Sequence, residues 1–178
     1  MRGGKMAGKI CFLGLLLAII LISQNLRLLV PLPGIAAMLI TGSLCNLCLL
    51  LAGYLASFSG AVILCFLTPV VAFLTGNLMT PLQIPLVGVT SFLYVAGFHF
   101  WSRKSEKMAV IIASILRLMG LYGSVYLILA LFEVPPALQR LLNMSLGVPQ
   151  MLTGLLGGYL YLVLKDKVIA ATKNTRQQ

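Results

Sequence analysis

The chain has 178 residues, of which 60% are hydrophobic and only 9% are charged, and its mean hydropathy is +1.05. Soluble domains carry about 25% charged residues, so this composition excludes an ordinary soluble domain and predicts a single integral membrane domain over residues 1–178. A formal net charge of +10 suggests nucleic-acid binding in a soluble protein. Here the basic residues follow a membrane topology instead, and we expect no nucleic-acid partner.

Six apolar segments of helical length follow one another along the chain. Their length and the lack of alternating runs favour helices over strands, so the predicted fold class is all-α. The connections are short, which predicts antiparallel neighbours in one bundle. The predicted transmembrane helices cover residues 10–30, 34–55, 59–78, 81–101, 108–134 and 145–164.

The distribution of Lys and Arg predicts the orientation. Ten of the thirteen basic residues lie before the first helix, between the fourth and fifth helices, or after the sixth helix. With six spans these three regions share one side, which predicts a multi-pass membrane protein with cytoplasmic termini. The ten residues, which can also contact anionic lipid of the bilayer, are Arg2, Lys5, Lys9, Arg103, Lys104, Lys107, Lys165, Lys167, Lys173 and Arg176.

Three arginines do not follow this rule. Arg27 lies in "ISQNLRLLVPLPG" at the outer end of the first helix, and Arg140 lies in the outer connection before the sixth helix. Arg117 lies inside the fifth helix, about a third of the way from its cytoplasmic end, where a charge in apolar surroundings is costly. Two interpretations of Arg117 stay open, pairing with a helix carbonyl or extension of the side chain toward the cytoplasm.

Polar side chains and prolines gather at the outer end of the predicted bundle, which favours a binding site there. The alternative is that these groups only cap helices and solvate loops. Two tyrosines of the fifth helix are one turn apart and share a face. The candidate substrate-binding residues are Gln24, Asn25, Arg27, Asn77, Gln83, Tyr122, Tyr126, Arg140 and Gln150.

Catalytic and metal chemistry have little support. The chain has three acidic residues and one histidine, so paired carboxylates for acid–base work are missing. No metalloprotease, nucleophile-elbow or phosphate-loop motif occurs, and ATP hydrolysis would need partner subunits. Cys45 and Cys48 form a CxxC inside a helix, but a zinc site needs about four ligands, and buried cysteines commonly pack as small apolar residues. We therefore expect no enzyme, no metal and no cofactor.

The stretch "LLAGYLASFSGAVILCFLTPVVAFLTGNLMTP" resembles the substrate-binding S components of energy-coupling factor (ECF) transporters. The matching features are the LLAG that ends the second helix, Gly60, the Thr68-Pro69 pair, and the phenylalanine-containing turn that closes on Gly76. The chain departs from the pattern at Ala56–Ser59, where relatives often have Gly-Pro. Asn46 stands where relatives often have a histidine, and it is a further candidate site residue.

The resemblance implies an ECF S-component-like bundle in a prokaryotic cell membrane that binds a vitamin or related micronutrient with high affinity near the outer surface. Its partners would be a transmembrane coupling subunit and two ATPase subunits, on which such proteins topple in the membrane. Small residues four apart on the first helix, Gly14 and Ala18, would form the docking face, although generic helix packing explains them equally well.

Two other classes remain. One is a small membrane scaffold or assembly subunit without a ligand, and the other is a membrane enzyme acting on lipid, which the scarcity of carboxylates and histidines disfavours. For a binding protein we expect a mainly apolar or aromatic ligand with one anionic group that pairs with an arginine. Substitution of Arg27 by Ala should then weaken binding tenfold or more, by the loss of a charged contact.

Overall fold

The computed structural model describes residues 2–26, 34–78, 80–131 and 148–174, together with Pro135 and Gln139. This part of the chain is helical and contains no strand, which confirms the predicted all-α class. A π-helical turn (Ala52–Ala56) directly follows the second helix. The helices are α1 (Arg2–Gln24), α2 (Gly34–Leu51), α3 (Phe58–Leu74), α4 (Gln83–Trp101), α5 (Glu106–Leu131) and α6 (Val148–Asn174).

Four helical segments are long and apolar enough to cross a membrane, by length and composition. They indicate a membrane location for the protein. The remaining helices of the described chain are α3, which is apolar but has 17 residues, and α6. Crossing by all six helices, and the side on which the termini lie, stay predictions. The four segments are Met6–Gln24, Gly34–Ala56, Gln83–Trp101 and Glu106–Leu127.

The order of the helices agrees with the predicted segments, but several ends differ. α1 begins at Arg2 rather than at residue 10, and α6 continues to Asn174 rather than ending at residue 164. Helices extend beyond the apolar segment where tertiary contacts hold the extra turns. In α6 this contact is the ion pair of Lys165 with Glu106, the first residue of α5. The hydrogen bond to the Glu106 carboxylate raises the pKa of Lys165.

The connection between α2 and α3 is short, and it is formed by a π-helical turn and an N-cap residue. The π-helical turn widens the last turn of α2, and Ser57 then adopts an extended backbone with φ −173°. The Ser57 hydroxyl accepts a hydrogen bond of 3.1 Å from Gly60 N–H, so Ser57 is the N-cap of α3. A cap hydroxyl therefore starts α3 in the segment where the sequence departs from the Gly-Pro of the resembled family.

The helices pack in a closed ring in the order α1, α2, α6, α5, α4, α3 and back to α1. Small residues bring neighbouring backbones close together, as is typical of helices that pack in lipid. A β-carbon built on Gly157 would lie 2.6 Å from Asn46 Cβ and 2.7 Å from the Ser43 carbonyl, so α6 lies directly against α2. The ring encloses the polar side chains described next.

Candidate functional site

A cavity of about 250 Å³ lies inside the ring, at the end where α1 and α3 finish and α2, α4 and α6 begin. We call it the Arg117 cavity. Every helix of the ring contributes to its wall. Its apolar wall includes Ala37, Met38, Leu49, Pro69, Ala72 and Val87. Its polar wall includes Gln24, Asn46, Thr68, Asn77, Arg117 and Gln150.

Arg117 is the buried cation of this cavity. Its side chain, from the middle of α5, is 6% exposed. It donates hydrogen bonds to Asn46 Oδ1 on α2 and, at 3.1 Å, to Gln150 Oε1 on α6. Its guanidinium carbon lies 5.6 Å from the centre of the Tyr94 ring on α4, within the range of a cation–π contact. Both interpretations that the sequence left open are therefore replaced, because the described partners of Arg117 are side-chain amides and a ring.

The partners of Arg117 are themselves fixed by packing. The Tyr94 hydroxyl donates a hydrogen bond of 2.8 Å to the Gly154 carbonyl, which holds the ring between α4 and α6. Gly157 lies against Asn46, as the close approach of α6 to α2 requires. Thr153 donates to the Gln150 carbonyl and lies 3.5 Å from its Oε1. The guanidinium of α5 is thus held by side chains from three other helices, α2, α4 and α6.

Several buried polar atoms in the cavity wall have no hydrogen-bond partner among the described residues. They are Arg117 Nε and Asn46 Nδ2, which are donors, and Gln24 Oε1 and Thr68 Oγ1, which can accept. An unpaired buried polar atom costs roughly 1–3 kcal/mol. The wall therefore carries unused hydrogen-bonding capacity of both kinds, as is typical of a ligand site.

A second polar network holds the ends of α1 and α3 together. Gln24 Nε2 donates to the Thr68 carbonyl at 3.3 Å, and Asn77 Nδ2 donates to the Gln24 carbonyl at 2.9 Å. Thr41 of α2 donates to the Ser23 carbonyl at 3.1 Å. These bonds hold the Gln24 side chain on the cavity wall.

The structure brings together four of the residues predicted from sequence as substrate-binding. Gln24, Asn46, Asn77 and Gln150 all line the Arg117 cavity, although they are up to 126 positions apart in the chain (150 − 24). Their role in binding stays a prediction. Arg27 and Arg140 lie outside the described residues.

The other predicted site residues lie elsewhere. Asn25 donates to the Leu21 carbonyl of its own helix at 2.8 Å, and Gln83 accepts from Thr80 N–H at 3.3 Å. Tyr122 and Tyr126 are exposed on α5, at 51% and 76%. None of these four residues is on the described cavity wall. In a membrane helix, an exposed tyrosine faces lipid or a partner rather than a ligand inside the bundle.

Arg117 and Thr68 belong to the cavity but were not chosen from the sequence as site residues. An ionisable residue inside an apolar helix is itself a signal of function. Its partners were hidden because Asn46 and Gln150 are 71 and 33 positions away. The sequence distinguishes the Thr68-Pro69 pair only through the family resemblance, and both residues line the cavity.

The opposite end of the bundle holds a smaller cavity of about 180 Å³. Its wall includes Tyr54 of the π-helical turn, His99 and Arg103. The His99 ring is exposed and lies 4.8 Å from the Phe58 ring. Cys45 and Cys48 are buried free thiols, and the described residues contain no cluster of three or more metal-binding side chains.

Comparisons with protein-family models, with curated proteins and with solved structures found no match to this chain.

Proposed function

We propose that this protein is the substrate-binding membrane subunit, or S component, of an ECF importer, and that the Arg117 cavity binds its small-molecule substrate. One observation carries the proposal. A ring of apolar helices encloses a cavity whose wall holds a buried arginine and polar atoms without partners. Such a wall is costly in the ligand-free protein and favourable when a ligand supplies the missing hydrogen bonds.

The sequence resemblance supports the same function. The segment from Leu50 to Pro81 carries the resemblance, and Thr68, Pro69 and Asn77 within it line the cavity. Beside Pro69, the Thr68 carbonyl accepts a hydrogen bond from the Gln24 amide, which ties the end of α1 to α3 at the cavity wall.

In the proposed mechanism, the protein takes up a vitamin-like molecule from the outer side and then topples on a transmembrane coupling subunit. Two ATPase subunits supply the energy, since this chain has no nucleotide-binding motif. Gly14 and Ala18 are exposed on α1, and a β-carbon on Gly14 would meet nothing within 4 Å. This open stripe is where we place the contact with the coupling subunit.

A ligand-free scaffold is the competing function, and the Arg117 network favours it in one respect. The bonds to Asn46 and Gln150 join α2, α5 and α6, so they could serve packing alone. The two functions differ in what the purified protein carries.

The test is to purify the protein from its native membrane and analyse the preparation by mass spectrometry for small molecules and for co-purifying subunits. We expect one small organic molecule in near-stoichiometric amount, together with a coupling subunit and ATPases. A preparation that contains no small molecule, binds none of a panel of vitamins and associates with no ATPase contradicts the proposal and supports the scaffold.

A further inference from the structure

The charge of the Arg117 cavity points to a particular class of ligand. Arg117 is the only charged residue of the described cavity wall. Among the described residues, the ion pair joins Lys165 to Glu106. No described carboxylate therefore pairs with Arg117 and neutralises its charge. Its partners Asn46 and Gln150 are uncharged amides, and a buried, uncompensated cation is costly.

The donors of the cavity define the shape of the missing partner. Asn46 offers Oδ1 to Arg117, so its Nδ2 is left as a donor, and this atom has no partner in the described chain. Arg117 Nε is likewise unpaired. A planar group with two acceptor oxygens can bind a guanidinium in bidentate fashion and accept an amide N–H beside it.

The net charge distinguishes a carboxylate from a phosphate. A phosphate monoester carries about −1.5 to −2 at pH 7, which a single guanidinium does not neutralise. A carboxylate carries −1 and matches Arg117. The rest of the wall is mostly apolar, and the cavity volume of about 250 Å³ lies just below the roughly 300–1,000 Å³ of typical ligand pockets, which favours a small molecule with a ring or a short chain.

We infer that the Arg117 cavity binds a small monocarboxylate, with its carboxylate on Arg117 and Asn46 and with a hydrogen-bond donor toward Gln24 Oε1 and Thr68. The inference rests on the proposed function and specifies its substrate class. The principal counter-ion of the substrate is then Arg117 rather than Arg27. The unpaired atoms Gln24 Oε1 and Thr68 Oγ1 would accept hydrogen bonds from a second polar group of the molecule.

The first test identifies the charge of the bound molecule. The small molecule released from the native preparation is methylated, and mass spectrometry counts the methyl groups gained. We expect one carboxyl group and no phosphate. A bound molecule without a carboxyl group, a phosphate ester, or a long-chain fatty acid from the membrane overturns the inference while leaving a binding function in place.

The second test compares affinities by isothermal titration in detergent, with the released molecule and its uncharged methyl ester as probes. If the native preparation is ligand-free, benzoate and nicotinate are used with their amides. The parent should bind the carboxylate at least about thirtyfold more tightly than the uncharged probe, and Arg117→Gln should remove this preference. Arg103→Gln is the matched control, because Arg103 is exposed at the opposite end of the bundle.

Equal affinity of the parent for both probes, or a preference that survives in Arg117→Gln, shows that Arg117 is not the counter-ion. Glu133 lies outside the described residues, so Glu133→Gln is tested as well. A carboxylate affinity that rises tenfold or more in Glu133→Gln assigns the counter-ion to the protein itself and overturns the inference. If Arg117→Gln does not fold, the comparison of probes on the parent still decides.

Discussion

At the scale of single residues, the side chain at position 46 determines whether the charge of Arg117 is neutralised within the protein. Asn46 Oδ1 accepts a hydrogen bond from the guanidinium without neutralising it, so under the proposed function the charge of Arg117 is available to a ligand. An aspartate at the same position would occupy nearly the same volume and would supply the negative charge from within the protein. Under the proposed function, the amide at this position leaves the guanidinium for the ligand, whereas a carboxylate would form a structural ion pair with it.

Asn46→Asp should therefore raise the melting temperature of the ligand-free protein and weaken monocarboxylate binding by about tenfold or more, because Asp competes for Arg117. Thermal unfolding in detergent and titration calorimetry measure the two effects. Asn25→Asp is the control, since Asn25 lies outside the cavity and bonds to its own helix. Unchanged affinity in Asn46→Asp is the result that contradicts the assignment.

Arg27 provides the second residue-scale prediction. From its place at the outer end of the first predicted helix, we expect Arg27→Ala to weaken binding of an anionic ligand tenfold or more while expression is intact. We expect a larger loss for Arg117→Gln, since a charged contact is stronger in dry, apolar surroundings. Equal affinity of Arg27→Ala and the parent removes Arg27 from the site.

Several polar residues of the cavity wall were predicted from the sequence, whereas its charged residue, Arg117, was not. Gln24, Asn77 and Gln150 lie at helix ends, and end positions can be estimated from apolar segments. Arg117 lies in mid-helix, so its surroundings depend on which helix faces it across the ring. Helix order in a ring is set by packing between distant segments, which a single sequence does not reveal.

At the scale of helices, the close approach of α6 to α2 positions Asn46 and Gln150 around the guanidinium. A β-carbon at Gly157 would be 2.6 Å from Asn46 Cβ and 2.7 Å from the Ser43 carbonyl. Neither the backbone carbonyl nor a β-carbon can move away without shifting a helix. The same glycine therefore decides both the packing of α6 and the geometry of the cavity.

Gly157→Ala should destabilise the protein by about 1–3 kcal/mol through overpacking and should also weaken ligand binding. Gly123→Ala on α5 is the matched control, because a β-carbon there meets nothing within 4 Å, and alanine favours helix. Both variants are compared by thermal unfolding in the same detergent. Equal stability of the two variants would show that α6 does not pack on α2 as described.

Among the described residues, the α-helices follow the order of the predicted segments, whereas some of their ends differ from the prediction. Apolar segments of helical length predict the helices directly. The last turns of α6 are charged, and they are helical beside the ion pair of Lys165 with Glu106, a contact 59 positions apart in sequence. The π-helical turn after α2 likewise has no signal in hydropathy, since Ala52–Ala56 is as apolar as a regular helix.

At the scale of the whole molecule, the ring places the cavity at one end of the bundle and the basic residues of the described chain, apart from Arg117, at the other. Lys9, Arg103 and Lys165 lie at the other end of the bundle, where α1 and α5 begin and α4 ends. The last turns of α6 lie at this end as well. With the positive-inside rule, the cavity would face outward. A substrate would enter there, and the exposed stripe of α1 would be free for a coupling subunit.

The double variant Gly14→Leu with Ala18→Leu should abolish co-purification with the coupling subunit while leaving ligand affinity within about twofold, because bulky side chains prevent close helix approach outside the cavity. Affinity purification followed by subunit quantification tests this. Ile10→Leu is the control on the exposed surface of the same helix. Retained association in the double variant excludes this stripe as the docking face.

Native mass spectrometry of the intact protein tests the central claim most directly, since it reports whether the chain holds a ligand and whether Arg117 retains it. We predict that the parent, released from detergent, carries the added mass of one small molecule per chain. Arg117→Gln, purified in the same way, should lose that added mass although it remains folded. A parent that carries no bound molecule, or an Arg117→Gln protein that carries as much as the parent, contradicts the account.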